Sequence, residues 1–232
     1  MSISKKMFLL VLFALLGILV LSGLGQYQLR QVFDAANYGN ENTVPSVLAL
    51  RNMESATKDE IRLVYKHILT TDDPTMRAIE GEIAQKDRLL DDAIGKYRTM
   101  LSNDDDKQLL DKDLTAIANF KALREEVMTL SRTNQTEAAR DLILSRSGVQ
   151  DELATAYDAH IQFNEKLGNQ GTADARDLLF SAVLSSIVVS AITLVFVAVV
   201  GIIITRNLLR QLGGEPTYAA DVVSRIAEGD LT

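Results

Sequence analysis

Four basic residues in one stretch are the side chains best suited to bind a ligand. Arg51, Lys58, Arg62 and Lys66 follow one another at intervals of seven, four and four residues. On a helix these intervals place them in one stripe beside an apolar face. A carboxylate needs Arg or Lys donors in a fixed geometry. The stripe is therefore a candidate site for a small anion.

The same spacing allows a second interpretation. Glu54 precedes Lys58 by four residues and Asp59 precedes Arg62 by three. Such pairs attract one another on a helix surface and contribute little to stability. The stripe is then only a solvated, ion-paired face, and this is the more common of the two situations.

His160 falls on the apolar face of the last helix that the sequence predicts. There it can sense pH, bind a metal or form hydrogen bonds in the core, which is the most frequent role. His67 is too distant in sequence to form a metal pair by local spacing, and no carboxylate–histidine repeat occurs at helical spacing. We expect no metal.

Helices must position these side chains, because apolar residues recur every three or four positions from about residue 46 to residue 167. Short polar connections at Ser102–Asn103–Asp104 and Thr133–Asn134–Gln135 separate the helices, and Asp73–Pro74 has the form of an N-cap and a first-turn proline. Gly148 marks an irregularity near the start of the last helix. The sequence predicts an all-α fold, an antiparallel four-helix bundle.

Two uncharged apolar blocks flank the bundle. They are Met7–Leu24 and Leu178–Ile204, each long enough to cross a bilayer as a helix. Lys5 and Lys6 precede the first block and Arg206 and Arg210 follow the second, so both termini are predicted to be cytoplasmic. A cleaved signal peptide is the alternative for the first block, although no clear cleavage motif follows it.

We therefore divide the chain into five segments. These are a cytoplasmic N-terminus (1–6), a first transmembrane helix (7–28), a periplasmic ligand-binding bundle (29–177), a second transmembrane helix (178–204) and a cytoplasmic relay (205–232). The expected location is a bacterial inner membrane, in contact with lipid. Ala182, Ser186 and Ser190 form a small-residue stripe on the second helix that would allow close helix packing.

Composition excludes several functions. Between Gln26 and Asp177 there are 19 Lys and Arg residues against 27 Asp and Glu residues, a net charge of −8, so nucleic acid is an unsuitable partner. The chain has no cysteine, which excludes disulfides and thiolate metal sites. It has no phosphate loop, nucleophile elbow or helical zinc motif. We expect neither catalysis nor a cofactor.

A specific motif follows the second apolar block. Leu212–Gly213–Gly214–Glu215–Pro216, a helix bearing Ala219, Val222, Val223 and Ile226, and the closing Glu228–Gly229–Asp230–Leu231 resemble the first half of a HAMP relay domain. With the bundle, the two spans and Asn42–Thr43–Val44–Pro45–Ser46, the whole chain resembles the N-terminal half of a methyl-accepting chemotaxis protein.

This resemblance implies a homodimeric receptor for an organic acid or amino acid. Ungapped alignment with the family's aspartate receptor places Arg62 and Lys66 near ligand-binding arginines and Arg146 among polar contacts of the last helix. The implied ligand-binding residues are Arg51, Arg62, Lys66 and Arg146. The second HAMP helix, the methylated glutamates and the tip that engages a kinase and its adaptor are expected beyond these residues.

Two other functions are compatible with the sequence. HAMP helices also occur in sensor histidine kinases and cyclases, so the output domain could be of that class. Alternatively, the chain could act as a non-signalling membrane dimer, or sense through a partner binding protein.

Overall fold

The computed structural model describes residues 3–212 and residue 224, and these are almost entirely helical with no strand. The elements are α1 (Ile3–Tyr38), a π-helical segment (Gly39–Thr43), α2 (Val44–Ile68), α3 (Asp73–Arg98), α4 (Asp104–Arg132), α5 (Thr136–Ser145) and α6 (Gly148–Leu212). The predicted all-α fold is confirmed. The residues from 213 onward, which the sequence motifs assign to a HAMP domain, lie outside the described residues, apart from Ser224.

The chain separates into two compact units. One consists of Met1–Asp34 with Ala175–Thr232, and the other is Ala35–Asp174. Both α1 and α6 contribute residues to each unit. The second unit contains the four helical segments of the bundle. The fourth segment is formed by α5 together with the first part of α6.

Local sequence signals fix the helix ends in the bundle. The Asp72 carboxylate caps α3 by accepting a hydrogen bond from the Thr75 backbone at 3.0 Å. The cap is thus one residue earlier than Asp73, the residue predicted from the Asp–Pro pair. Asn103 caps α4 through the Asp106 amide at 2.9 Å. Asn134 in the turn after α4 has a φ of 56°, a backbone conformation that Asn tolerates well.

The irregularity predicted at Gly148 is a complete break. Helix α5 ends at Ser145, Arg146 and Ser147 form a turn, and α6 begins at Gly148. The fourth segment of the bundle therefore consists of two helices. The exposed turn between them contains Arg146, one of the predicted ligand-binding residues.

Two apolar clusters fill the bundle. One contains Met53, Leu90, Tyr97, Phe120 and Tyr157 and their neighbours. The other lies toward the opposite ends of the same helices and contains Leu63, Ile79, Leu123, Val127 and Ile143. Their largest side chains are almost completely removed from water, and such burial is the main source of stability in a bundle without disulfides.

Among the described residues, two helices are long and apolar enough to cross a membrane, judged by length and composition. Their most apolar windows are almost entirely exposed on the isolated chain. Exposed bands of this size are unusual on soluble proteins. Within the unit formed by Met1–Asp34 and Ala175–Thr232, Phe13 packs against Phe196 with ring centroids 4.9 Å apart. In the same unit, Gln28 donates a hydrogen bond to Ser185 at 2.7 Å.

Candidate functional site

All four basic residues of the stripe on α2 form ion pairs, including the three predicted to bind a ligand: Arg51, Arg62 and Lys66. Arg51 and Lys58 both contact Glu54, at 2.9 and 2.6 Å. Arg62 contacts Asp59 at 3.0 Å, and Lys66 lies 3.6 Å from Glu82 on α3. The two pairs anticipated from spacing, Glu54–Lys58 and Asp59–Arg62, are therefore present.

The four cations nevertheless differ in what they stabilise. Glu54 is nearly buried, with 8% of its surface exposed. Burial raises the pKa of Glu54, but the hydrogen bonds from Lys58 and Arg51 outweigh it and hold that pKa below its usual value. Arg51 and Lys58 thus neutralise a buried carboxylate. Arg62 and Lys66 hold their pairs at the solvated surface, where exchange with another anion costs little.

Asp59 connects the stripe to a groove between α2 and α3. Its second oxygen contacts Lys86 of α3 at 2.6 Å, so one carboxylate serves both Lys86 and Arg62. These two cations hold the pKa of Asp59 below its usual value, Lys86 having the larger effect. The groove has a volume of about 580 Å³, and both Asp59 and Lys86 line it.

Arg146 lies in the turn between α5 and α6 and contacts both oxygens of Glu126 on α4, at 3.0 and 3.1 Å. Four residues later, Gln150 donates a 3.4 Å hydrogen bond to Tyr65 of α2, the residue before Lys66. The structure thus brings Arg146 to the end of the bundle where Lys66 lies. Arg51 is 15 residues before Lys66, roughly 22 Å away along α2.

His160 lies at the centre of a buried polar cluster. We use the name His160 cluster for the residues that form it: Tyr97 from α3, Asp106 and Asp113 from α4, and His160 and Asn164 from α6. All five are 0% exposed. His160 Nε2 lies 2.8 Å from Asp106 Oδ1, and His160 Nδ1 lies 2.5 Å from Asp113 Oδ2.

Further hydrogen bonds distinguish the two carboxylates. Asp106 accepts from the Tyr97 hydroxyl at 2.5 Å and from the Ser102 amide and hydroxyl at 2.8 and 2.9 Å. Asn164 donates to the Tyr97 hydroxyl at 2.7 Å. Asp113 Oδ1, by contrast, is buried with no hydrogen-bond partner among the described residues. Both carboxylate oxygens of Asp106 therefore have hydrogen-bond partners, whereas only one oxygen of Asp113 has a partner among the described residues.

The pKa values follow from this asymmetry. Burial raises the pKa of Asp106, but hydrogen bonds from His160, Tyr97 and Ser102 outweigh it and bring that pKa to about 2. Burial raises the pKa of Asp113, and His160 only partly opposes this. Burial lowers the pKa of His160, but both carboxylates outweigh it and raise that pKa above its usual value. His160 and Asp113 therefore bind protons more tightly in the cluster than they would separately, whereas Asp106 binds its proton less tightly.

His67 is a buried histidine that lacks the two close carboxylates found around His160. Its Nδ1 lies 2.8 Å from the Ser131 hydroxyl, and its Nε2 lies 3.4 Å from Glu80. Burial lowers the pKa of His67, and Glu80 opposes this only partly. His67 is thus a core residue that favours the neutral form.

The partners of His160 were missed in the sequence, although a signal for them exists. Asp106, Asp113, Phe120 and Val127 recur every seven residues, the period of buried positions in a packed helix. The charged residues at the first two positions therefore belong to the buried face of α4. A pattern of apolar residues alone begins on α4 at Leu110 and therefore omits both aspartates.

Comparison with protein families identifies the bundle. A family model described as a four-helix-bundle sensory module for signal transduction matches residues 1–179. The chain belongs to this family of sensory modules. No curated protein and no solved structure matches it.

The match covers the bundle and the first apolar segment and reaches the start of the second. It supports the resemblance to methyl-accepting chemotaxis proteins that the sequence motifs indicated. Within the described part of the chain, no group of three or more His, Asp or Glu residues is arranged to hold a metal ion.

Proposed function

We propose that this chain is the sensing half of a transmembrane chemoreceptor that binds a small organic anion outside the cell. The observation that carries the proposal is the shared carboxylate of Asp59. Arg62 and Lys86 both contact it, so the local charge is +1 at the edge of a groove of about 580 Å³. A volume of this size suits a small molecule.

A ligand carboxylate would compete with Asp59 for Arg62. Side-chain exposure of Arg62 is 68% and that of Asp59 is 30%, so the existing pair is partly solvated and weak. The Arg62 guanidinium presents paired N–H donors that match a carboxylate. Lys66 lies one turn further along α2 and adds a second surface cation on the same stripe.

Binding on α2 and α3 would be transmitted through the helices that leave the bundle. Helix α6 runs without interruption from Gly148 to Leu212, so one helix carries both bundle residues and the second apolar segment. A small displacement of this helix relative to α2 would carry a signal across the bilayer without unfolding. In this proposal the chain is a homodimer, and the HAMP residues 205–232 pass the displacement to a cytoplasmic signalling domain.

The test is a thermal-unfolding screen of the full chain in lipid nanodiscs against organic acids and amino acids. A ligand at 100 times its dissociation constant adds about 2.7 kcal/mol to the free energy of unfolding, which gives a clear rise in the midpoint. We expect Arg62→Ala and Lys86→Ala to lose this rise. Arg88→Ala, which removes an exposed cation elsewhere on α3, is the matched control and should keep it.

The outcomes separate the two parts of the proposal. A rise that survives in both variants retains a small-molecule receptor but moves its site away from Asp59. No rise with any acid in the panel would contradict direct sensing of organic anions.

A further inference from the structure

The geometry of the His160 cluster provides a place for a titratable proton. Both ring nitrogens of His160 face carboxylate oxygens, at 2.8 Å for Asp106 and 2.5 Å for Asp113, and the Tyr97 hydroxyl also lies 2.7 Å from Nε2. A neutral imidazole has one N–H, and its other nitrogen is an acceptor. Both contacts are hydrogen bonds only if the ring is an imidazolium or if Asp113 is a carboxylic acid. Either form contains one proton more than a neutral imidazole between two carboxylates.

We propose that His160, Asp106 and Asp113 form a proton-binding site through which the sensory bundle responds to the pH outside the cell. The ligand is the proton itself. When it is bound, His160 bridges α6 to two positions one heptad apart on α4. When it leaves, the ring keeps one hydrogen bond and turns a lone pair toward the other carboxylate.

Loss of the proton weakens the contact between α4 and α6 because both groups are buried. Where water cannot screen them, two carboxylates repel each other strongly, and a polar atom without a hydrogen-bond partner is costly. Asp106 keeps its donors from the Ser102 amide and hydroxyl. Asp113 depends on His160 alone among the described residues, since its Oδ1 has no partner there. The one N–H of the neutral ring therefore stays on Asp113, while Nε2 accepts from the Tyr97 hydroxyl and the hydrogen bond to Asp106 is lost.

The groups around His160 support this assignment from each packed helix. Helix α3 contributes Tyr97, whose pKa is raised by burial and by the neighbouring Asp106, so it stays protonated. Helix α6 contributes Tyr157, whose pKa is also raised by burial. On α2, the charged residues Glu54 and Glu60 act on Tyr157, whereas the charges that act on His160 are Asp106 and Asp113.

The direction of the pH effect follows from the two shifted groups. The folded-state pKa values of His160 and Asp113 are both raised, so these two groups bind protons more tightly in the folded than in the unfolded chain, and their contribution to stability is complete below about pH 4. Asp106, whose pKa is lowered to about 2, has the opposite dependence and loses its contribution as the pH falls below about 4. The Asp113 part declines above the unfolded pKa of about 4, and the His160 part declines above about 6.5. External acid therefore tightens the α4–α6 contact, and alkali loosens it.

This inference relies on the proposed function only for placing the bundle outside the cell. The site is distinct from Arg62 and the groove, and its test needs no organic ligand. Failure of the anion screen would leave the proton site untouched, and the reverse also holds.

The first measurement is histidine nitrogen NMR on the full chain in nanodiscs, labelled at histidine and titrated from pH 5 to pH 10. The chain has two histidines, so His67 is an internal control. We expect the nitrogen chemical shifts of His160 to show that the ring keeps its proton above the pH at which a free imidazole loses it. We expect those of His67 to show a neutral ring at pH 7. A His160 signal that titrates like a free imidazole, or does not change over this range, would contradict the proposal.

The second measurement follows the helices. Because the chain has no cysteine, spin labels can be attached at Ala118→Cys on α4 and Ala159→Cys on α6, both exposed. We expect the distance between the labels, or its spread, to change over the pH range in which His160 titrates. His160→Gln should abolish that change, and His67→Gln should retain it. If His160→Gln does not fold, the parent chain still decides, because a distance that stays constant while His160 loses its proton overturns the proposal.

Discussion

Glu60 on α2 and Arg124 on α4 form an ion pair in the core of the bundle, with Arg124 Nη1 donating to Glu60 Oε2. The Glu60 side chain is 0% exposed and that of Arg124 is 8% exposed. Arg124 also contacts Asp87 of α3 at 3.1 Å. One guanidinium therefore joins carboxylates from two other helices.

This pair gives the bundle a second source of pH dependence. Burial raises the pKa of Glu60 to about 7, although Arg124 opposes the shift. Since the folded pKa lies above the unfolded value of about 4.5, the protonated form contributes stability that is complete below pH 4.5. That contribution declines as the pH rises and is lost above about pH 7.

We predict that Glu60→Gln flattens the stability profile between pH 4.5 and pH 7. The shift in pKa corresponds to a contribution on the order of 3 kcal/mol across this range, which glutamine, having no charge, cannot make. Thermal unfolding of the full chain in detergent at a series of pH values measures the profile. Glu82→Gln, at an exposed position on α3, is the control and should leave the slope as it is. An unchanged slope in Glu60→Gln would show that Glu60 stays ionised throughout.

Removal of the cation should be more damaging. We predict that Arg124→Met lowers the free energy of unfolding at pH 8 by about 3–5 kcal/mol, because it leaves the buried Glu60 carboxylate without a cation, whereas the half-buried Asp87 keeps its ion pair with Lys121. The double variant Arg124→Met with Glu60→Gln should recover part of this loss, as the buried charge is gone. Equal midpoints for the single and double variants would argue against a charge effect.

The helical period predicted the fold and the connections between helices, because both depend on local spacing. The same period did not identify the polar residues that lie on the buried faces of the helices. On α2, the structure buries the charged Glu60 and leaves the apolar Ile61 half-exposed. Reading only apolar residues shifts the apparent face, since a buried ion pair and an apolar pair occupy equivalent positions.

The site could be predicted less completely, for a physical reason. Local spacing identified the pairs Glu54–Lys58 and Asp59–Arg62, which lie within one helix. Contacts between helices, such as Lys86 with Asp59, depend on the rotation of each helix about its axis. The sequence pattern fixes that rotation only to within a residue or so, and a shift of this size decides which charged groups meet.

Gly168 allows α6 to approach the π-helical segment. A β-carbon built at Gly168 would lie 2.8 Å from Thr43 Cγ2 and 3.0 Å from its Oγ1, and Thr43 is buried. We predict that Gly168→Ala lowers the free energy of unfolding by about 1–3 kcal/mol, the usual cost of overpacking. Adding Thr43→Ala should restore most of the loss in a double-mutant cycle measured by thermal unfolding.

Gly81→Ala provides the matched comparison for Gly168→Ala. Gly81 lies inside α3, and nothing lies within 4 Å of an added β-carbon. Alanine there should raise stability by about 0.5–1 kcal/mol, because it reduces the freedom of the unfolded chain. If both glycine variants shift stability in the same direction, the close approach at Thr43 is not what requires Gly168.

The proposed topology predicts which surfaces face the outside of the cell. Single cysteines can be placed without interference because the chain contains none. Asp104→Cys, exposed at the start of α4, and Arg206→Cys, exposed near the end of α6, should be well separated by the membrane. In intact cells with a permeable outer layer, a membrane-impermeant maleimide should label Asp104→Cys and spare Arg206→Cys, since the bundle is exported and basic residues are retained inside. Lysis should make both reactive, which shows that each thiol is accessible. Labelling of Arg206→Cys alone before lysis would reverse the orientation and exclude the bundle from sensing external acid or anions.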